Sequence, residues 1–108
     1  MYAFLNRRGH PCFYVPRYGG ICATTLKSSL PGFYWLIGGG GDGQPSYLMA
    51  LAADEIRRLS LTVAGENIHV SLHRNVAFAD YPLTRAKHAL VTAFYADGDR
   101  QSASLALH

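Results

Sequence analysis

Charge is scarce in this chain of 108 residues: charged residues make up 16% of it, where a soluble domain ordinarily has about a quarter. Acidic residues are wholly missing from the first 41 positions, which hold Arg7, Arg8, Arg17 and Lys27, whereas the rest of the chain is nearly balanced. The net charge of +3 is therefore local, and it lacks the continuous basic stripe that tracks phosphates, so nucleic acid is not an expected partner. No apolar run approaches the ~18 residues of a membrane span. The first twenty positions carry Arg7, Arg8, Gly9, Pro11 and Pro16, where a signal peptide would have an apolar stretch. The expectation is a soluble chain, or the soluble part of a longer one.

Catalytic signatures are missing as well. There is no Gly-x-Ser-x-Gly elbow, and the run Gly38–Gly41 with Asp42-Gly43 is neither followed by a helix nor ended by Gly-Lys-Ser/Thr, as a phosphate loop would be. The seven carboxylates are Asp42, Asp54, Glu55, Glu66, Asp80, Asp97 and Asp99; most fall in turns, where Asp is favoured for its local hydrogen bonding. Only two cysteines are present, and His10 near Cys12 is the one hint of a zinc site. Without a Cys-x-x-Cys pair or further ligand spacing, no metal or other cofactor is expected, and no catalytic residue is assigned.

What the chain does have is 49% hydrophobic residues, 12% aromatic residues, 11 Gly and 7 Tyr. That is enough apolar material for one domain over 1–108, with the turn residues of a β protein. Period-two alternation confirms the class. Leu59, Leu61 and Val63 alternate with Arg58, Ser60 and Thr62; after a turn over 64–67, Ile68, Val70 and Leu72 alternate with His69, Ser71 and His73. A short strand over 76–79 should stop at Asp80-Tyr81-Pro82. Residues 87–95 are apolar at positions of both faces, as in a strand covered on both sides; Asp97-Gly98 then turns the chain into 101–107. Further strands are expected at 2–5, 13–15, 21–24, 33–37 and 47–51, with a loop or single turn rather than a helix over 52–58. Eight or nine short strands with frequent turns predict an all-β, two-sheet antiparallel sandwich of Ig-like kind, with a small barrel as second choice.

Cys12 and Cys22 stand symmetrically about Arg17, so a hairpin centred there places them opposite each other and allows a disulfide. Such a bridge points to an extracytoplasmic location. Trp35, Leu59, Leu61, Val70, Leu72, Phe78, Val91 and Leu105 are expected in the core, with Arg58, Ser60, His69 and His73 in water. Tyr14, Tyr18 and Tyr34 are the candidates for an exposed aromatic binding face, and a sandwich's edge strands could serve the same end, a homodimer included.

The Cys-bearing hairpin from Pro11 to Cys22, the Gly38–Gly43 loop, residues 48–54 leading into Ile56-Arg57-Arg58-Leu59-Ser60-Leu61, the Arg74-Asn75-Val76-Ala77-Phe78 element and the closing Tyr95-Ala96-Asp97-Gly98 turn occur in that order. The pattern resembles a small β-rich C-terminal domain of uncharacterised, membrane-anchored bacterial proteins, usually found behind one N-terminal transmembrane segment. The resemblance spans nearly the whole chain and implies an extracytoplasmic domain; it brings no activity with it, and no such anchor is in the sequence as it stands. The expected function is a non-catalytic, extracytoplasmic module that binds a protein or cell-envelope partner. The alternative is a small extracytoplasmic hydrolase whose carboxylate or histidine site forms only in the fold.

Overall fold

The computed structural model describes residues 1–39, 45–82 and 86–107. Alternation becomes twelve strands in the described residues: β1 Tyr2–Leu5, β2 Pro11–Val15, β3 Gly19–Cys22, β4 Lys27–Leu30, β5 Phe33–Gly39, β6 Ser46–Ala52, β7 Ile56–Val63, β8 Glu66–Ile68, β9 Ser71–His73, β10 Val76–Tyr81, β11 His88–Tyr95 and β12 Arg100–Ala106. They form three antiparallel sheets, β1-β2-β3, β4-β5-β6-β10-β9 and β12-β11-β7-β8. The two larger sheets make the expected sandwich, with no closed barrel among the described residues. The chain passes between these two sheets at β6→β7, β8→β9 and β10→β11, and β6 neighbours β10 while β7 neighbours β11. These crossings interlock the layers.

Between the larger sheets lies the main core. The middle sheet contributes Phe33, Trp35, Leu48, Ala50, Ala77 and Ala79, and the facing sheet Leu59, Leu61, Val63, Val91 and Leu105. Small alanines on β6 and β10 leave room for the large rings of β5, so that bulky and small residues interdigitate. Trp35 is anchored at its polar end, its Nε1 donating to Ser29 Oγ at 3.1 Å.

A second core lies on the other face of the middle sheet. Phe13 and Val15 of the cysteine hairpin pack there with Met49 and Val76, and with the half-buried Leu36, Tyr47, Leu51 and Phe78. The small sheet is thus a third layer, and β6 and β10 are the strands covered on both sides. Their near-continuous apolar runs, Leu48 to Ala52 and Val76 to Ala79, have that cause.

Three expectations are corrected by this arrangement. Residues 87–95 were expected to be covered on both faces, yet β11 buries only Ala89, Val91 and Ala93, and Leu90 on its outer face is 49% exposed. The strand expected over 68–72 is broken: β8 pairs with β7 only as far as Ile68, and β9 has already joined β10 in the middle sheet. The switch falls at His69-Val70, between β8 and β9; the two-residue turn Arg74-Asn75 then folds β9 onto β10, both residues being left-handed at φ 48 and 71, as a type I′ turn requires. Ile68, Val70 and Leu72 nonetheless all pack against the main core, because both sheets look onto it. The strand from Val76 runs to Tyr81 rather than stopping at Asp80, since only Pro82 lacks the donor. β4 had no forecast. Its Ser-rich Lys27–Leu30 carries no alternation, and pairing with β5 creates it.

Of the expected core, Val70, Leu72 and Phe78 are half-buried rather than buried, and Phe78 belongs to the second core. The other five are buried; Arg58, His69 and His73 are exposed and Ser60 is half-buried.

A candidate interaction surface on the small sheet

The small sheet is built by two hairpins. In the first, Asn6 folds the connection over 6–10: its Oδ1 accepts from Arg8 N at 2.9 Å and His10 N at 3.0 Å. This leaves Arg7 and Arg8 exposed at the tip. In the second, Tyr18 N donates to Val15 O at 3.0 Å and Arg17 sits at φ 77, a turn in which Pro16 presets the preceding φ. Cys12 then faces Cys22 and the two are bonded, with Cα atoms 4.0 Å apart. The symmetry read from the sequence therefore holds through Phe13↔Ile21, Tyr14↔Gly20 and Val15↔Gly19.

Alternation divides this sheet into two faces. Ala3, Phe13, Val15 and Ile21 point to the second core. Tyr2, Phe4 and Tyr14 point outward, with Tyr2 opposite Tyr14 and Phe4 opposite Cys12. The Tyr2 ring stacks on Tyr14 with centroids 5.2 Å apart and tilts toward Phe4 at 6.0 Å. Their exposure is large, Tyr2 56%, Phe4 45% and Tyr14 41%, and Leu5, at the end of β1 on the phase of Ala3, is 70% exposed. β1 is also an edge strand, with one side of its backbone unpaired. The surface is thus an aromatic platform beside a disulfide, bracketed by Arg7 and Arg8 at one end and Arg17 at the other.

Tyr14, Tyr18 and Tyr34 do not form the single face that the sequence suggested. Tyr14 is on the platform. Tyr18 turns inward, its ring packed on Phe78 at 5.1 Å and Tyr47 at 5.7 Å. Its hydroxyl donates to Asp80 Oδ2 at 2.7 Å. That hydrogen bond, then burial and the Asp80 charge, raise the Tyr18 pKa above its ordinary value, with Arg17 opposing. Tyr18 is therefore a clamp between the small and middle sheets. Tyr34 is exposed on the middle sheet and lines a different hollow. Sequence reading missed Tyr2 and Phe4, although the signal was there: the 2–5 strand was legible, but its pairing with β2 was not.

Two shallow hollows of about 410 and 220 Å³ meet at Asp54 and Asn75. Asn75 Nδ2 donates to Asp54 Oδ1 at 2.7 Å and to Ala52 O at 2.9 Å, which fastens the I′ turn to the β6–β7 connection. Tyr34 borders the larger hollow and Arg57 and Arg74 the smaller. A third hollow, about 320 Å³, is lined by Arg58, Ser60, His69 and Phe94, with the Arg58 guanidinium 4.1 Å from the Phe94 ring centre. His69 and His73 lie on separate elements, His69 in the crossing between sheets and His73 in β9. Among the described residues no cluster of three or more His, Cys, Asp or Glu side chains could hold a metal ion. His10 does not join Cys12 as a ligand, because the Cys12 sulfur is spent in the bridge. Of the glycine-rich loop, Gly38 and Gly39 belong to β5; residues 40–43, Asp42 included, lie outside the described residues.

No helix among the described residues is long and apolar enough to cross a membrane. Comparison of the chain with family models, curated proteins and solved structures finds no match.

Proposed function

We propose that this is a non-catalytic interaction module, with an Ig-like arrangement of its two large sheets, that works outside the cytoplasm and engages a protein or cell-envelope partner. One observation carries the reading. Four of the six large apolar side chains exposed among the described residues, Tyr2, Phe4, Leu5 and Tyr14, gather on the small sheet, where free energy would otherwise favour their burial. The Cys12–Cys22 bridge supports the compartment, since such bonds persist where thiols are not kept reduced. The resemblance to domains of membrane-anchored bacterial proteins agrees with it.

The hydrolase alternative rests on the Asp54–Asn75 hollows, the place where a carboxylate borders concave surface. Among the residues lining them, Asp54 is alone: no second carboxylate and no histidine stands beside it to share acid–base work.

The test is sedimentation of the protein with washed bacterial envelopes, for the wild type and for Tyr2→Lys and Tyr14→Lys. Wild-type binding that both variants reduce at least tenfold is expected. Binding indifferent to both substitutions, or no binding, would refute the assignment of this face.

A further inference from the structure

The partner's chemistry can be read from the face itself. We infer that the outward face of the small sheet docks on a bilayer surface that carries anionic lipid, an inference that rests on the interaction-module reading above. Three features of the face converge on this occupant.

The first is charge. Arg7, Arg8 and Arg17 are exposed at the two ends of the aromatic platform, and no acidic residue occurs in the first 41 positions. Negative charge on the partner would match both ends of the sheet, the nearby Asp80 carboxylate being engaged by the Tyr18 hydroxyl. A second copy of this chain, meeting it face to face, would oppose arginine to arginine; self-association is thereby disfavoured.

The second is the kind of apolar group. Phe4 stands on an edge strand, 45% exposed and without a polar atom, on the same phase as Tyr2, whereas Leu5 beside it falls on the phase of Ala3. An anionic polysaccharide would stack on Tyr2 and Tyr14 and pair with the arginines, but the phenyl ring of Phe4, with no hydroxyl to offer a sugar, gains most from hydrocarbon. In a bilayer interface Phe reaches the boundary of the acyl chains, Tyr rings sit at headgroup level, and guanidinium groups take lipid phosphates.

The third is shape. The platform is a sheet face with an open edge, and none of the three hollows described above lies on it. A surface of this form suits a broad and deformable partner. The disulfide beside it holds β2 to β3 while the aromatic groups are drawn into the interface, and Phe13, Val15 and Tyr18 keep the layer on the sandwich.

Co-sedimentation with vesicles of phosphatidylcholine alone and of phosphatidylcholine with phosphatidylglycerol, at low and high salt, tests this directly. Partition into the phosphatidylglycerol vesicles is expected, weakened by salt. Each of Arg7→Gln, Arg8→Gln and Arg17→Gln should lower the partition coefficient about fivefold, and Tyr2→Ser/Phe4→Ser at least tenfold. All five positions are exposed, and unchanged thermal unfolding certifies each variant. Absence of partition into anionic vesicles overturns the proposal. So does partition that Tyr2→Ser/Phe4→Ser leaves intact, or tight binding of soluble heparin that those two substitutions do not affect, which would identify an anionic polymer as partner. A concentration-dependent dimer abolished by Tyr2→Ser/Phe4→Ser would assign the face to a second copy instead. If envelopes still bind in a Tyr14-dependent way while vesicles do not, the lipid assignment falls and the interaction module stands; if neither binds, both fall.

Discussion

Replacing Cys12 and Cys22 together by alanine, or reducing the bridge, removes a cross-link between residues 10 apart in sequence. For a loop of that size the chain-entropy estimate gives about 2.7 kcal/mol of lost stability. The loss should not be spread evenly. Neither cysteine belongs to the main core, and the small sheet is held to the sandwich mainly by Phe13, Val15, Tyr18 and Ile21 over the middle sheet. Opening of β1–β3 alone is therefore the cheapest way to respond, in the manner of other low-stability units. Hydrogen exchange with and without reductant reads this out. The amides of Phe13 and Ile21, which face each other in the hairpin, should exchange roughly a hundredfold faster after reduction, while those of Leu61 and Val91, paired in the facing sheet, change little. Alanine is the better replacement because Cys12 is fully buried, and a serine hydroxyl there would add an unpaired polar group. Equal acceleration in both sheets would refute the idea that the small sheet is a separable layer. Two free thiols in the denatured, unreduced protein would refute the bridge itself.

Further outcomes follow from the same packing. A Cβ at Gly38 would lie 2.5 Å from Tyr47 Oη, because the Tyr47 ring covers the glycine across the strand pair; Gly38→Ala should cost about 1–3 kcal/mol, and a double-mutant cycle with Tyr47→Ala should recover most of it. Leu61→Ala, in the main core, should cost about 2–5 kcal/mol in denaturant unfolding, whereas Leu90→Ser on the bare face of β11 should stay within about 0.5 kcal/mol; a large Leu90 effect would restore the two-sided β11. Tyr18, Tyr47, Tyr81 and Tyr95 all have pKa values raised from 10.0. The cause is the Asp80 hydrogen bond for Tyr18 and burial for the other three, Asp99 and Glu55 adding to it at Tyr95. Their neutral forms are thus favoured in the fold, so stability should be constant below pH 10 with respect to these groups and fall as pH rises through the raised values. Tyr18→Phe should flatten that fall, and an alkaline limb unchanged by Tyr18→Phe would argue against the clamp.

Much of the architecture was legible because it rests on local rules. Strand positions and inward phase follow from a period of two, which is why Leu59, Leu61, Val91 and Leu105 could be placed in the core and Arg58, His69 and His73 outside it. The disulfide was legible for the same reason: a hairpin's register is arithmetic once its turn is located, and Pro16 with Gly19 and Gly20 located it. Asp97-Gly98 announced the last turn, although only Gly98, at φ 90, uses positive φ, while Asp97 Oδ1 accepts from Asp99 N.

Alternation does not say which sheet a strand joins or what covers its second face, and those points were settled by long-range packing. Residues 68–73 keep one phase through a change of sheet, since both sheets look onto one core, so their sequence reads as a single strand. The apolar residues of β6, β10 and β11 look alike in sequence; β6 and β10 became two-sided because the small sheet settled on them, and β11 kept a bare face because nothing described packs there. The three tyrosines 14, 18 and 34 carry the same side chain in the same third of the chain, yet one became platform, one clamp and one the border of a hollow. Composition determined that this chain would be a β-sheet protein with a basic, acid-free first third. Only the stacking of its layers decided that the basic residues would flank an exposed aromatic face, because a side chain's exposure depends on what lies across from it, and that residue is distant in sequence.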